Sequence, residues 1–446
     1  MIRSATRTFL ASILVLAAAC GGEAPPPATV AAAAPAAPDS GLPAPAAAPG
    51  GGTQATLTPT PPQATELPPP TALGQAKPPV DIVAPAPEGN PFTGKEFYRY
   101  PRYSKLVDEA AKTMSAGDAA LMKKVEAFPV AIWLESIERA NTVSKVLDDV
   151  AAVEKKTGKP QLAVFIVYDL PERDCAAVAS AGELTIDKGG EKRYEKEFID
   201  KIAAGIKAHP KLHVVAVLEP DSLPNLATNL DKPKCAKADH AYRHGVAYAV
   251  KTLAMPNVAV YLDAAHAGWL GWGHNRDKMA KIYTEVLAEA GGAEKIRGFA
   301  TNVANYDSLE GGDLHKLEPT DPCPDELSYI KLLDASLTEA GIKGKAFIID
   351  TSRNGRDGIR TKSGSWCNVK GAGLGARPVA SPAPFVDAYF WLKDPGESDG
   401  GGDASKPGFD KNCGPDNADA APNAPHGGDM FPSYLVDLVK NANPPL

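Results

Sequence analysis

Two acidic residues, Asp174 and Asp221, stand just past apolar runs of the chain, in YDLPERDC (Tyr168 to Cys175) and LEPDSLPN (Leu218 to Asn225). Paired carboxylates of this kind are what glycoside hydrolysis needs: one stays protonated to give its proton to the leaving oxygen, while basic help reaches the water. Holding two carboxylates close raises the pKa of one of them, which keeps it protonated near neutral pH. Each acid also has a plainer use. Asp221 or Ser222 could cap the helix that follows, and Asp174 could pair with Arg173 or another cation. A third candidate stretch, DAAHAGWLGW (Asp263 to Trp272), sets two tryptophans three apart among small residues. Indole faces make flat platforms for the apolar faces of a sugar ring, against the alternative of a helix start with one tryptophan buried. His266 lies beside Asp263 without a second nearby histidine or cysteine, which favours a hydrogen-bonding role over a metal ligand. A fourth, WLKDPGESD (Trp391 to Asp399), carries one lysine and several carboxylates; Trp391 itself reads as core.

These stretches share one kind of position. Leu212 to Leu218 is apolar except for His213, as befits a strand buried on both faces, and Pro220 then ends it. Similar runs recur at Val130 to Leu134, Val164 to Tyr168, Val258 to Leu262, Gly298 to Val303, Ala346 to Ile349 and Ala388 to Leu392. Amphipathic stretches lie between them: Glu191 to Ala208, Asp239 to Leu253, Asp277 to Ala290 and Glu326 to Ala340. The alternation predicts parallel β/α units. The runs end in Glu135, Asp169, Glu219, Asp263, Asn305, Asp350 and Lys393. Polar residues at so many strand ends suggest a closed sheet with one functional face. An open doubly wound sheet is the alternative, but no GxGxxG follows a strand. The predicted fold is an α/β barrel of about seven strands.

The rest of the 446-residue chain bounds the setting. A net charge of -7 and a pI near 5.7 argue against a nucleic-acid binder. Arg3 and Arg7, the apolar Phe9 to Ala19 and the small residues Ala17 to Ala19 read as an export signal over residues 1–20, too short to span a membrane. Cys20, followed by two glycines, resembles the lipidated cysteine of a bacterial lipoprotein, although Ala17 stands where a larger aliphatic residue is usual. Residues 21–91 are rich in Ala, Pro, Thr and Gly and hold no aromatic residue, which predicts a disordered tether and excludes a small sugar-binding module there. The compact domain is expected over residues 92–446. Of the five cysteines beyond Cys20, none has zinc-site spacing, and an exported chain favours disulfides with one thiol left over.

The blocks YDLPERDCAA, LEPDSLPNLATN, YLDAAHAGWLGW, GFATNVANY, IIDTSRNG, SWCNVKGAGLGARP and WLKDPGESDG together resemble glycoside hydrolase family 6, in matching order from about Ala131 to Leu446. The family comprises inverting β-1,4-glucanases on a distorted, seven-stranded β/α barrel. The resemblance implies that Asp221 is the general acid, Asp174 tunes that acid and assists the water, and Asp399 is a candidate base. It places Tyr168 against the distorted sugar and Ser180 on the water. Trp133, Trp269, Trp272 and Trp366 would stack on sugars, while His266, Asn305, Lys393 and Glu397 would bind their hydroxyls. It also implies disulfides Cys175–Cys235 and Cys367–Cys413, leaving Cys323 as the free thiol. Departures from the family pattern are Ala265 for a glycine, Gly400 for a threonine, and Asp394 before its proline. The long segments Leu170 to Glu183 and Asp394 to Asp429 favour a roofed cleft and a cellobiohydrolase that works on cellulose and cello-oligosaccharides from non-reducing ends. An endoglucanase is the alternative, and a surface glucan-binding protein without catalysis a more distant one. No metal, no organic cofactor and no nucleic acid are expected; the chain is expected to act as a monomer, meeting a membrane only through Cys20.

Overall fold

The computed structural model describes residues 89–446 apart from Asp313 and Pro407. The expected signal segment, the lipidation of Cys20 and the tether as far as residue 88 lie outside the described residues. Nine strands form one sheet: β1 (Glu96–Phe97), β2 (Ile132–Leu134), β3 (Gln161–Val167), β4 (His213–Leu218), β5 (Val258–Asp263), β6 (Gly298–Thr301), β7 (Ala346–Asp350), β8 (Val379–Ala383) and β9 (Val386–Phe390). The order is β1-β3-β4-β5-β6-β7-β9-β8, with β2 also on β3. Only β8 runs antiparallel to its neighbour. Each of the seven predicted runs overlaps a strand. The two additional ones escaped the sequence pattern because β1 is two residues long and β8 (VASPA) is largely unburied.

The sheet curls without a full ladder around it. β1 and β2 lie end to end along one edge of β3, Glu96 opposite Gln161 and Ile132 opposite Phe165. Between β2 and β9 no strand pairing occurs among the described residues. The gap is bridged by Ala131 N–H to the Trp391 carbonyl at 3.1 Å and by Trp133 Nε1 to the Leu392 carbonyl at 2.8 Å. The barrel is thus distorted and open at that seam.

Alternation along each strand explains the continuous apolar runs. Leu162, Val164, Ile166, Val215 and Val217 point into the barrel with Tyr261, Ile348 and Phe390. Ala163, Phe165, Val167, Val214 and Ala216 point outward against the helices. Both faces are therefore dry, and each fully buried Val, Leu, Ile or Phe contributes about 1.5–3 kcal/mol. The helices fall where amphipathic stretches predict them: Pro233–Leu253, Gly273–Ala290 and Glu326–Glu339. The stretch from Gly190 to Lys207 is helical throughout but carries a π-helical segment, Tyr194–Ile199. That segment buries Tyr194, whose hydroxyl reaches the end of β4; π-helical turns often sit beside functional sites.

Candidate active site

The polar residues at the strand ends divide into two groups, apart from Asp169, which is buried with its carboxyl 3.5 Å from Arg173 Nη1. Glu135, Asn305 and Lys393 line a cavity of about 620 Å³ at the C-terminal ends of the strands. Glu219, Asp263 and Asp350 are buried beneath it and accept backbone N–H groups from neighbouring strand ends. Glu219, past β4, accepts from Asp169 (3.2 Å) and Leu170 (3.3 Å) past β3, and from Tyr194 Oη at 2.8 Å. Asp263, closing β5, accepts from Asp221 N–H at 3.0 Å and Ala265 N–H at 3.4 Å. Asp350, closing β7, accepts from Ala304, Leu392 and Lys393 at 2.9–3.2 Å. The periodicity of the sequence cannot separate these carboxylates from the lining ones. Hydrogen bonds to backbone across strands are what distinguish them, and they hold the loops that carry the site.

Those loops begin in strained backbone. Glu172, Asp174, Glu219, Asp221 and Ala265 all have φ between 49° and 61°, the left-handed region that non-glycine residues seldom enter and that collects at functional sites. Ala265 sits at φ 49°, which is the physical reason a glycine is usual there. Ser222 occupies the N-cap position of the helix Leu223–Thr228, but its hydroxyl donates to the Glu219 carbonyl at 2.6 Å. Asp221 does not cap that helix with its side chain. Its carboxyl faces the cavity with no hydrogen-bond partner among the described residues.

Burial lifts the pKa of Asp221 well above the usual carboxylate range, with Asp174, Asp263 and Asp399 adding to the effect. Asp174 is raised by burial too, against the opposing hydrogen bond that Ser180 Oγ donates to it and the charge of Lys234. The proposed Arg173–Asp174 pair does not form. The Arg173 guanidinium instead donates to the carbonyls of Tyr168 (2.6 Å), Glu135 (2.8 Å) and Ser180 (2.8 Å), and lies over the Tyr168 ring at 4.4 Å. It pins the loop that carries Asp174 and Ser180. Asp399 is held differently. Both its oxygens accept from Arg353 Nη1 at 2.8 and 2.7 Å, and Oδ2 also accepts from Asn368 N–H (2.8 Å) and Tyr306 Oη (3.2 Å). Arg353 is itself buried and stacked on Tyr306 at 4.3 Å.

Trp133, Tyr168, Trp269 and Trp366 supply aromatic surface to the same cavity. Trp133 meets Tyr168 edge-on at 5.4 Å, and Lys393 Nζ stands 5.4 Å from the Trp133 ring while bonding Glu397 Oε1 at 3.2 Å. His266 Nδ1 donates to Asp307 at 2.7 Å, and its Nε2 accepts from Asn305 Nδ2 at 2.9 Å. Glu326 lies near enough for His266, Asp307 and Glu326 to offer ligand atoms within 4.8 Å of one another. Both ring nitrogens of His266 are engaged, however, and Arg360 also bonds Asp307, so the group reads as a hydrogen-bonded wall. Trp272 is the exception among the expected sugar platforms: it stands outside the lining, with Nε1 on Thr320 Oγ1 at 3.1 Å.

The lining is completed from two segments that close over it. Val178 N–H donates to Asp410 Oδ2 at 3.0 Å, joining the loop after β3 to the loop after β9. Cys175–Cys235 anchors the first loop to the helix Pro233–Leu253, and Cys367–Cys413 anchors the second. A Cβ at Gly400 would meet Ala179 Cβ at 2.6 Å and Cys413 Sγ at 2.8 Å, so no side chain fits where the loops touch. Cys323 is the free thiol, buried behind the Trp269 turn with Sγ toward the Gly271 carbonyl at 3.4 Å.

This arrangement matches known proteins along its length. The family described as Glycosyl hydrolases family 6 matches residues 92–442. The chain belongs to that family. The hydrolase is 43% identical over 363 residues to Exoglucanase 3 of Agaricus bisporus, covering 80% of each chain. It is 39% identical to a Fusarium oxysporum relative named as an endoglucanase type B, covering 80% of this chain and 78% of that one. The cellobiohydrolase II Cel6A from Humicola insolens, solved with glucose and cellotetraose, superposes with a TM-score of 0.77 at 35% identity, covering 80% of this chain and all of that one.

Two of the strand-end acids of the family 6 hydrolase, Glu219 and Asp169, are fully buried. Burial raises Glu219 to about 7, against the hydrogen bond from Tyr194. Burial raises Asp169 to about 8, against the charge of Arg173. Folding therefore takes up protons at these sites, and stability should fall as pH rises from about 4 through 8. Urea midpoints at pH 5, 6.5 and 8 should decline in that order, and Asp169→Asn should flatten the upper part of the curve. A midpoint that rises across the same window would show that these acids are ionised in the folded protein.

Proposed function

We propose that this family 6 hydrolase is a cellobiohydrolase that cleaves β-1,4-glucan with inversion at the anomeric carbon. The observation that carries the reading is the roof: Val178 bonded to Asp410 above a cavity that holds the unpartnered Asp221. A chain bound under a roof is admitted by its end and cut from that end, whereas an open cleft would admit it anywhere. Asp221 enters the reaction protonated and gives its proton to the glycosidic oxygen as the bond to the anomeric carbon breaks. Water near Ser180 and Asp174 attacks the opposite face of the sugar, and its proton leaves through intervening water toward Asp399. No covalent sugar–protein bond forms. Tyr168 presses on the ring being cleaved; Trp133, Trp269 and Trp366 stack on its neighbours; His266, Asn305, Lys393 and Glu397 bind their hydroxyls.

Export belongs to the same reading. Two disulfides suit an oxidising compartment, and a lipid on Cys20 would keep a monomeric enzyme at a cell surface on its tether.

Proton NMR of cellohexaose during hydrolysis tests the proposal. Cellobiose should appear first, as the α-anomer. Internal fragments, still α first, would make the protein an endoglucanase, and a β-anomer first would overturn the inverting mechanism. Binding without cleavage would leave a glucan-binding protein.

A further inference from the structure

At the Trp133 end of the cavity three carboxyl groups gather: Glu135 after β2, and Asp394 and Glu397 after β9. Three cations face them: Lys393 on the same loop, Arg139 on the short helix Ile137–Ala140, and Arg102 on the helix Pro101–Ala111. Two of the carboxylates have cations of their own. Glu397 takes Lys393 at 3.2 Å, and Glu135 takes Arg139 at 3.4 Å.

Asp394 has neither an ion pair nor a hydrogen bond to its carboxyl among the described residues. It is 8% exposed, it lines the cavity, and Oδ1 is buried without a partner. Tyr103, packed below on the helix Pro101–Ala111, spends its hydroxyl on the Pro395 carbonyl at 2.9 Å. A buried carboxylate with no donor and two acidic neighbours is costly, whereas a neutral carboxylic acid there has a proton to give.

We propose that Asp394 is a sugar-binding residue that acts as a neutral acid, donating its proton to a hydroxyl oxygen of a glucosyl unit beside Trp133, so that affinity at this end of the cavity falls as the pH rises. The inference rests on the glucanase reading above. Burial and the nearby Glu397 both push Asp394 well above the ordinary carboxylate range, against the pull of Lys393 and Arg102. The neutral donor therefore exists on the acid side and is lost as the group ionises. The ionised form can only accept, and a sugar seated on it strips water from a charge already buried beside Glu397 and Glu135, so the neutral donor is the form that binds better.

The test is calorimetric binding of cellotetraose to the full chain carrying Asp221→Asn, which stops turnover, from pH 5 to pH 9. Affinity should fall by about tenfold across that range, the net worth of about one hydrogen bond. Adding Asp394→Asn, a permanently neutral donor of the same shape, should keep acid-side affinity and flatten the profile. Adding Asp394→Ala should weaken acid-side binding by about five- to tenfold. An unchanged pH profile in the Asn variant, or binding that strengthens with pH, would overturn the role of Asp394 while leaving the glucanase reading intact. No cellotetraose binding by Asp221→Asn alone would remove the glucanase reading and the inference with it. The Asn variant keeps the question answerable if the Ala variant does not fold.

Discussion

Asp221→Asn should lower turnover of cellohexaose by about 10²–10⁴-fold, the usual worth of a general acid, while cellotetraose still binds. The expectation follows from how the group is held. Its backbone is pinned by Asp263 at 3.0 Å, its carboxyl meets no cation or donor among the described residues, and its pKa is raised first by burial and then by Asp174. An amide of the same shape keeps the packing but has no acidic proton to give. The loss should therefore appear in kcat with KM little changed. It should be smaller on an aryl cellobioside with an acidic leaving group, which departs with less protonic help. An equal loss on both substrates, or unchanged turnover, would take Asp221 out of the acid role. The active form needs Asp221 protonated, so kcat/KM of the parent enzyme should fall on the alkaline side as that proton is lost.

The second large effect is expected at Arg353. It is 1% exposed, lies over Tyr306, donates to both oxygens of Asp399 and gives a further hydrogen bond to the Ala304 carbonyl. Arg353→Met would leave a buried carboxylate without its cation, an error that costs about 3–5 kcal/mol. Urea unfolding should show that loss, and activity should fall with it, because Asp399 lines the cavity and its carboxylate also holds the Asn368 backbone and the Tyr306 hydroxyl behind it. The matched variant Asp399→Asn in the Arg353→Met background should recover part of the stability and none of the activity. That pattern separates the structural cost of an orphaned charge from the catalytic use of the carboxylate. If both single variants were as stable as the parent, the pair would contribute nothing to the fold.

Asp394, Asp399 and Asp221 illustrate why like residues in a sequence end in unlike states. Each follows an apolar run, and each is an aspartate. Asp399 is saturated with donors, Asp221 has none and faces the cavity, and Asp394 is sealed against the wall beside two acids whose own cations are already taken.

The sequence by itself determined the positions of seven of the nine strands, the parallel α/β class, the acids past β3 and β4, and the family. Runs such as LHVVAVL record two dry faces of one strand, and that record is local. Family blocks preserve chemistry in order, so Asp174, Asp221, Asp399 and both cysteine pairings could be placed from them. Tertiary structure alone decided what no local pattern encodes. It showed that Glu219, Asp263 and Asp350 stitch strand ends while Glu135 and Lys393 line the cavity, since the partner N–H groups come from strands distant in sequence. It turned Arg173 away from Asp174 and onto backbone carbonyls, and it set Trp272 outside the lining. It left the barrel open between β2 and β9, and it closed the roof through Val178 and Asp410. Burial and pairing are properties of neighbours in space, and those neighbours set the proton on each carboxyl.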